Sequence, residues 1–246
     1  MSGHSKWSTI KRKKEKTDGA RAKVFTKIGR EISIAVRDGG PDPASNSKLK
    51  DVFAKAKANN VPNDNIERII KKASGEAGGA NYEAIMYEGY GPSGIAVIVE
   101  TLTDNRNRTA ADVRHFFDKN KGNMGTSGCV SFMFTRLGTI EIEAEDVDED
   151  KLMEDALEAG AVDFITDEED IYVVRTEPND LGAVRDDLDA KGYKFVSAEV
   201  EYIANTETAL TNEDDLKMMG RLLEMLEDND DVQNVWHNLE NEDDLP

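Results

Sequence analysis

The hydrophobic period of this chain changes at Gly78-Gly79, and that change sets what it can fold into. Before it, Phe25, Ile28, Ile32, Ala35 and Val36 recur at helical spacing, followed by Leu49, Val52, Phe53 and Ala56, then by Ile66, Ile69, Ile70 and Ala73. The spacing predicts a helix from Ala20 to the breaker Gly39-Gly40-Pro41, a second from about Ser45 and a third from Pro62-Asn63. Three short amphipathic helices make a small bundle that closes at Gly75 and the Gly78-Gly79 linker. Beyond Gly79 the pattern alternates: strands are expected at Tyr82–Tyr90, Ile95–Leu102 and Cys129–Phe134, with a helix at Thr109–Asn120 whose Val113, Phe116 and Phe117 point inward. A complete unit follows, with strand Thr139–Ile142, helix Glu149–Ala159, strands Asp163–Thr166 and Ile171–Arg175, helix Asp180–Ala190 and strand Phe195–Ile203. That βαββαβ order is the ferredoxin-like split arrangement. Helix Asp214–Leu226 and strand Val232–Asn238 are too little for a domain and are expected to complete the sheet begun at Tyr82. The expected fold is α+β, an N-terminal three-helix bundle plus two ferredoxin-like α/β-sandwich domains, the third inserted in the second. The boundaries are a basic helical domain with a flexible arm at 1–78, an α+β domain at 79–135 and 205–246, and the inserted domain at 136–204.

Charge follows the same division. Residues 1–75 hold eighteen basic and eight acidic residues, net +10, so the chain's total of -19 leaves -29 on residues 76–246. The first thirty residues alone carry ten cations against Glu15 and Asp18. Such asymmetry points to a polyanion at the helical end, with the acidic body repelling it. Residues 5–18 show no apolar period and are expected to stay flexible or extended until a partner neutralises them. The cluster Lys11-Arg12-Lys13-Lys14 with Lys6 and Lys16 can neutralise phosphates, and Trp7 offers a stacking surface. Arg21, Lys23, Lys27, Arg30 and Arg37 extend it along the first helix. A solubilising tail, or one folded onto the protein's own acidic body, is the alternative. The segment could be mistaken for a transit peptide, but it is lysine-dominated and merges into a helical pattern, so it is read as mature protein.

The same residues carry a family resemblance. Gly3-His4-Ser5-Lys6-Trp7, Ile10-Lys11, Asp18, Arg21, Phe25, Lys27, Glu31-Ile32, Ala35, Arg37-Asp38-Gly39-Gly40-Pro41-Asp42-Pro43 and Asn46 resemble the opening of the YebC family. The likeness continues through Asn60, Pro62 and Ile66-Glu67-Arg68, Tyr87-Glu88-Gly89-Tyr90-Gly91-Pro92, Thr103-Asp104-Asn105-Arg106-Asn107-Arg108-Thr109, Asp230-Asp231-Val232-Gln233 and His237-Asn238. Members of that family are described as transcriptional regulators, and it includes the mitochondrial translational activator of cytochrome c oxidase. The resemblance implies the inserted third domain and a role in gene expression.

Other motifs are less specific. Arg106 and Arg108 lie where a strand leads into a helix; free N–H groups there could meet a phosphate, or the residues simply build the turn with local acids. The glycine-rich Gly122–Gly128 loop lacks the lysine and spacing of a phosphate-cradling loop and is read as mobile. The family usually has two adjacent glycines here and a serine after the last, whereas this chain has Lys121-Gly122 and Cys129. His4, His115 and His237 share no ligand spacing and no nucleophile is nominated, so no enzyme, cofactor or metal site is expected. The acidic runs Glu145–Asp150, Asp167–Asp170 and Asp228–Asp231 are read as solvated loops. One cysteine, Cys129, excludes an internal disulfide and, on an expected buried strand, reads as a core thiol in a reducing compartment. No apolar run is long enough to span a membrane.

These features together predict a cytoplasmic, monomeric, non-enzymatic nucleic-acid-binding regulator. Ribosomal RNA, and through it the ribosome, is the preferred target, because no helix shows the Arg, Asn and Gln cluster that reads major-groove edges. Promoter DNA is the alternative, and a protein-protein adaptor the more distant one.

Overall fold

The structure, a computed structural model, describes residues 18–75, 81–168 and 170–246. The Gly78-Gly79 linker and the arm up to residue 17 lie outside the described residues. The chain forms two compact units, Thr135–Ile203 and, on either side of it, the described residues up to Phe134 with Ala204–Pro246.

The larger unit begins with three helices, α1 (Asp18–Gly39), α2 (Ser47–Ala58) and α3 (Asn63–Ala73). Ile28, Ile32, Ala35 and Val36 of α1 close on Leu49, Ala56, Val61 and Ile66 to form one apolar core, the meeting of stripes expected from their spacing. Asn46 fixes the first corner: its side-chain oxygen caps α2 by accepting from Leu49 N–H (3.1 Å), and its amide donates to the carbonyls of Ala35 (2.7 Å) and Gly40 (2.8 Å). The helix therefore starts two residues later than the sequence suggests, because a buried asparagine satisfies orphan groups on both helices.

A four-stranded sheet follows in the order β3-β1-β2-β8. Its strands are β1 (Glu83–Tyr90), β2 (Ala96–Thr103), β3 (Asn123–Met124) and β8 (Val232–His237), and β1 and β2 form an antiparallel hairpin. Helix α4 (Arg106–Lys119) connects β2 to β3 across β1, and α7 (Glu213–Asp228) precedes β8. Both helices cover one face, where Val113, Phe117, Met219, Leu222 and Leu226 pack on Ile95, Val97 and Val99. Helix α4 starts three residues before the expected Thr109, since Asn105 caps it by accepting from Arg108 N–H at 3.1 Å. Arg106 and Arg108 thus occupy a first helical turn.

Thr135–Ile203 is built on the second sheet, β5-β6-β4-β7, from β4 (Phe134–Glu143), β5 (Asp163–Glu168), β6 (Ile171–Thr176) and β7 (Phe195–Ala204), with α5 (Glu149–Ala159) and α6 (Leu181–Ala190). This is the ferredoxin-like order. Ile140, Ile142 and Val174 meet Leu152, Ala156, Val184 and Leu188 in its core. The opposite side of β4 is polar and buried, with Thr139 accepting from Arg175, which also pairs with Glu201 (3.3 Å), and Glu141 accepting from Ser197 (2.6 Å).

Cys129 departs from its expected place. Residues 129–130 form a bend and Ser131–Met133 a 3-10 turn, so the strand begins only at Phe134, and the thiol is half-buried. The cause is Glu88, whose buried carboxylate accepts from the main-chain N–H groups of Gly128 (2.7 Å), Val130 (2.9 Å) and Ser131 (2.8 Å). Those three bonds bend the backbone out of any strand ladder. They also tie down the glycine-rich loop that the sequence suggests is mobile, with Gly125 N–H donating to the Glu88 carbonyl (2.8 Å) and Tyr90 to the Cys129 carbonyl (3.0 Å). Burial opposes ionisation of Glu88, but the three N–H donors and Ser131 outweigh it and hold its carboxyl below the usual range. Burial first, and the Glu88 charge second, push the Cys129 thiol up.

Gly89 is required where β1 passes beneath α4. A Cβ there would stand 2.6 Å from the Asn123 carbonyl oxygen and 2.9 Å from the Phe117 ring. Gly89→Ala is expected to lower unfolding free energy by about 2 kcal/mol through overpacking, read from urea unfolding. Gly94→Ala, with open space around its Cβ but a φ of +83°, is expected to cost about 1 kcal/mol.

Candidate nucleic-acid interface

Of the cations the sequence nominates, Lys6, Trp7's neighbours Lys11, Arg12, Lys13, Lys14 and Lys16, and Trp7 itself lie outside the described residues. So does the side chain of Arg21, whose backbone is part of α1. The remaining residues are placed in detail, and five of the six turn towards acceptors within the larger unit.

Lys23, Lys27 and Arg30 fall at i, i+4 and i+7 and so form one stripe along α1. Lys23 Nζ lies 2.7 Å from Asp228 at the last turn of α7, and Lys27 Nζ donates to the Glu227 carbonyl in that turn (2.9 Å). Arg30 reaches deeper, to Asp231 (2.6 Å) and the Leu102 carbonyl (2.7 Å), with its guanidinium 5.2 Å from the centre of the Tyr82 ring. Two turns further Arg37 donates to the Asn81 side chain (3.0 Å) and the Tyr82 carbonyl (2.8 Å). Gln233 completes the contact: with its amide nitrogen turned towards α1 it donates to Glu31 (3.3 Å) and the Lys27 carbonyl (3.2 Å). The positive face of α1 is therefore applied to the sheet domain. Among the described residues the bundle core and the sheet core share no member, and charged and hydrogen-bonded groups bridge them.

Asp231 is its centre. Its carboxylate, 4% exposed, takes Arg30 on one oxygen and Arg108 (2.7 Å) and Thr109 (2.7 Å) on the other, with the Thr103 hydroxyl at 3.2 Å. Burial disfavours the charged form, but Arg108, Thr109 and Arg30 more than offset it and hold the carboxyl down at about 2. Arg108 also pairs with Asp104 (2.9 Å), and the two acids push its own pKa up. For Arg108 the structure thus gives the local-acid arrangement. Arg106 stands exposed at the same helix end, its carbonyl 3.5 Å from the Tyr87 hydroxyl.

Sequence reasoning passed over the cations on the outer surfaces of the other two helices. Lys48 and Lys57 of α2 and Arg68, Lys71 and Lys72 of α3 are exposed; the Lys48 side chain is 73% exposed, at 3.7 Å from Asp38. Their position opposite the Leu49 and Ile66 stripes is the signal that could have found them. Among the described residues there is no group of His, Cys, Asp and Glu that could hold a metal ion, and no helix is long and apolar enough to cross a membrane.

A basic three-helix head, joined within the larger unit through ion pairs to a four-stranded sheet, and a second sheet unit of ferredoxin-like order define a mixed helix-and-sheet class of protein. The comparisons make the class specific: residues 5–76 match the family model described as the TACO1/YebC protein N-terminal domain, and residues 82–239 that of the TACO1/YebC second and third domain. The chain belongs to the TACO1/YebC family. It is 59% identical over 239 residues to a probable transcriptional regulatory protein of Acetivibrio thermocellus, covering 97% of this chain and 98% of that one. A protein of the same description from Agathobacter rectalis is 57% identical, covering 98% and 100%. The crystal structure of the conserved hypothetical protein Aq1575 from Aquifex aeolicus superposes with a TM-score of 0.83 at 43% identity, covering 92% of each chain.

The depressed Asp231 carboxyl fixes a pH dependence. A carboxylate whose folded pKa lies below its unfolded value of about 3.9 stabilises the protein above that value, and the contribution is lost as pH falls towards about 2. Asp231→Asn is expected to lower stability at pH 7 by about 3 kcal/mol, because it leaves Arg30 facing a neutral group in a buried site. Measured in urea, the gap between variant and parent should narrow between pH 4 and pH 2.

Proposed function

We propose that this protein is a non-enzymatic regulator of gene expression that grips nucleic acid with its basic helical end. The observation that carries the reading is the segregation of charge, net +10 on residues 1–75 and net -29 on the rest. Phosphodiester backbone is attracted to the first and repelled by the second, so the acidic sandwiches orient the bound molecule and suppress indiscriminate sticking. The lysine-rich arm supplies the main contacts, and the exposed cations Lys57, Arg68, Lys71 and Lys72 on α2 and α3 widen the footprint. The relatives' description as transcriptional regulatory proteins supports DNA as the target.

A second reading, ribosomal RNA, draws on one specific observation. Arg30 and Arg37 of α1 are engaged by Asp231 and the Tyr82 carbonyl, so the described cations left for contact are mostly lysines, and lysine recognises phosphate as a point charge without reading base edges. Such a surface suits dense, folded phosphate better than a defined duplex sequence.

Binding should weaken steeply with salt. If about six phosphates are neutralised, the slope of log K against log salt is expected near -4 to -5 on duplex DNA or ribosomal RNA fragments. Neutralising Lys11, Arg12, Lys13 and Lys14 together should reduce that slope by roughly one unit per lost contact while leaving the melting curve nearly unchanged. A slope near zero in the parent would remove the basic end from the mechanism. Comparing affinities for a promoter-length duplex and a ribosomal RNA fragment at matched salt decides between the two targets.

A further inference from the structure

The structure assigns a second role to the acidic end of α7: we propose that Glu227 and Asp228 occupy, as an internal stand-in for phosphate, a polyanion site formed by Lys23 and Lys27 of α1, and that nucleic acid displaces them. This rests on the nucleic-acid-binding reading above and adds a competition to it.

Three features support the exchange. First, the occupant resembles the proposed ligand. A carboxylate and a main-chain carbonyl at a helix C-terminus, the negative end of its dipole, meet two ammonium groups one helical turn apart at 2.7 and 2.9 Å. Second, the pairs on the stripe are graded in burial. Lys23 and Asp228 are 41% and 63% exposed, whereas Arg30 and Asp231 are 14% and 4% exposed. An exposed pair holds weakly and exchanges partners readily, while removing one member of a buried pair is strongly opposed. Arg30–Asp231 thus keeps the bundle seated while the outer end of the stripe changes partner. Third, Lys23 is the described cation of α1 nearest in sequence to Lys11–Lys16. A nucleic acid held by the arm reaches Lys23 before any other described cation of α1, with Lys27 one turn further on.

The mask makes the protein self-limiting. Short or isolated phosphates gain too little to displace a tethered competitor, whereas a polyanion already engaged by the arm meets Lys23 and Lys27 at high effective concentration. Discrimination by length and charge density follows without any base contact.

The test combines two measurements on the full chain, using a fluorescein-labelled 24-nucleotide RNA hairpin and a 24-base-pair DNA duplex as probes. A water-soluble carbodiimide joins an amine and a carboxylate already in contact, so the free protein is expected to give a Lys23–Asp228 cross-linked peptide by mass spectrometry. Saturating probe should suppress its yield several-fold. Asp228→Asn should bind the probes about threefold more tightly at low salt, the scale of one exposed ion pair. Asp230→Asn makes the same change of net charge in the exposed turn two residues on and should have a clearly smaller effect. If the cross-link persists at full occupancy, or the two variants shift affinity equally, the mask is overturned while nucleic-acid binding stands. If the parent binds neither probe at low salt, the functional reading itself falls.

Discussion

A single carboxylate, Asp231, determines how the helical and sheet portions of the larger unit meet. It is drawn out of water and would be costly to bury alone, so its burial is viable only with Arg30 from the bundle and Arg108 from the start of α4 both in place. Thr103 and Thr109 complete its shell from the end of β2 and the first turn of α4, so one group reads the position of three elements at once. An apolar patch would tolerate sliding; a buried acid between two guanidinium groups does not. Within the larger unit, the three helices are thereby held to the sheet by groups that must all be in place together.

The glycine-rich loop shows the same logic without cations. Glu88 sits on the sheet and collects the main-chain N–H groups of Gly128, Val130 and Ser131, much as an anion is held in a phosphate loop. Here the anion belongs to the protein, and a motif that resembles a ligand cradle is filled from within. The acidic end of α7 on the α1 stripe is a looser instance, with exposure in place of burial.

What the sequence disclosed, and what it hid, divides by the range of the interaction. The stripes Ile28/Ile32/Val36, Leu49/Phe53 and Ile66/Ile70 declared three helices because helical period is a local property. The βαββαβ order disclosed the second sheet for the same reason. Cys129–Phe134 misled because Val130, Phe132 and Phe134 alternate as a strand would, while the group that bends them, Glu88, lies some forty residues away in sequence. The segment Asp104–Thr109 offers both Asn and Thr as caps, and it is Asn105 that starts α4, one turn ahead of what the apolar residues from Val113 indicate. For the candidate interface, composition revealed where positive charge accumulates. It could not reveal that one face of α1 meets Asp228 and Asp231, because a helical stripe carries no mark of the surface it will face.

The Glu88 turn also has a bearing on the sixty-nine residues that interrupt the larger unit. Immediately before they depart, the Met133 carbonyl accepts from Asn205 N–H (2.8 Å), the second residue after their return, and the Asn205 amide lies 3.5 Å from the Phe132 carbonyl. The host thus holds both ends of the excursion side by side at a point its own Glu88 has already ordered. Loop-closure entropy scales only logarithmically with length, so a host that fixes its seam in this way is nearly indifferent to how much chain is threaded through it. The seam is a natural graft point: one module could be exchanged for another, or for a tight turn, while the basic head and its sheet remain as they are.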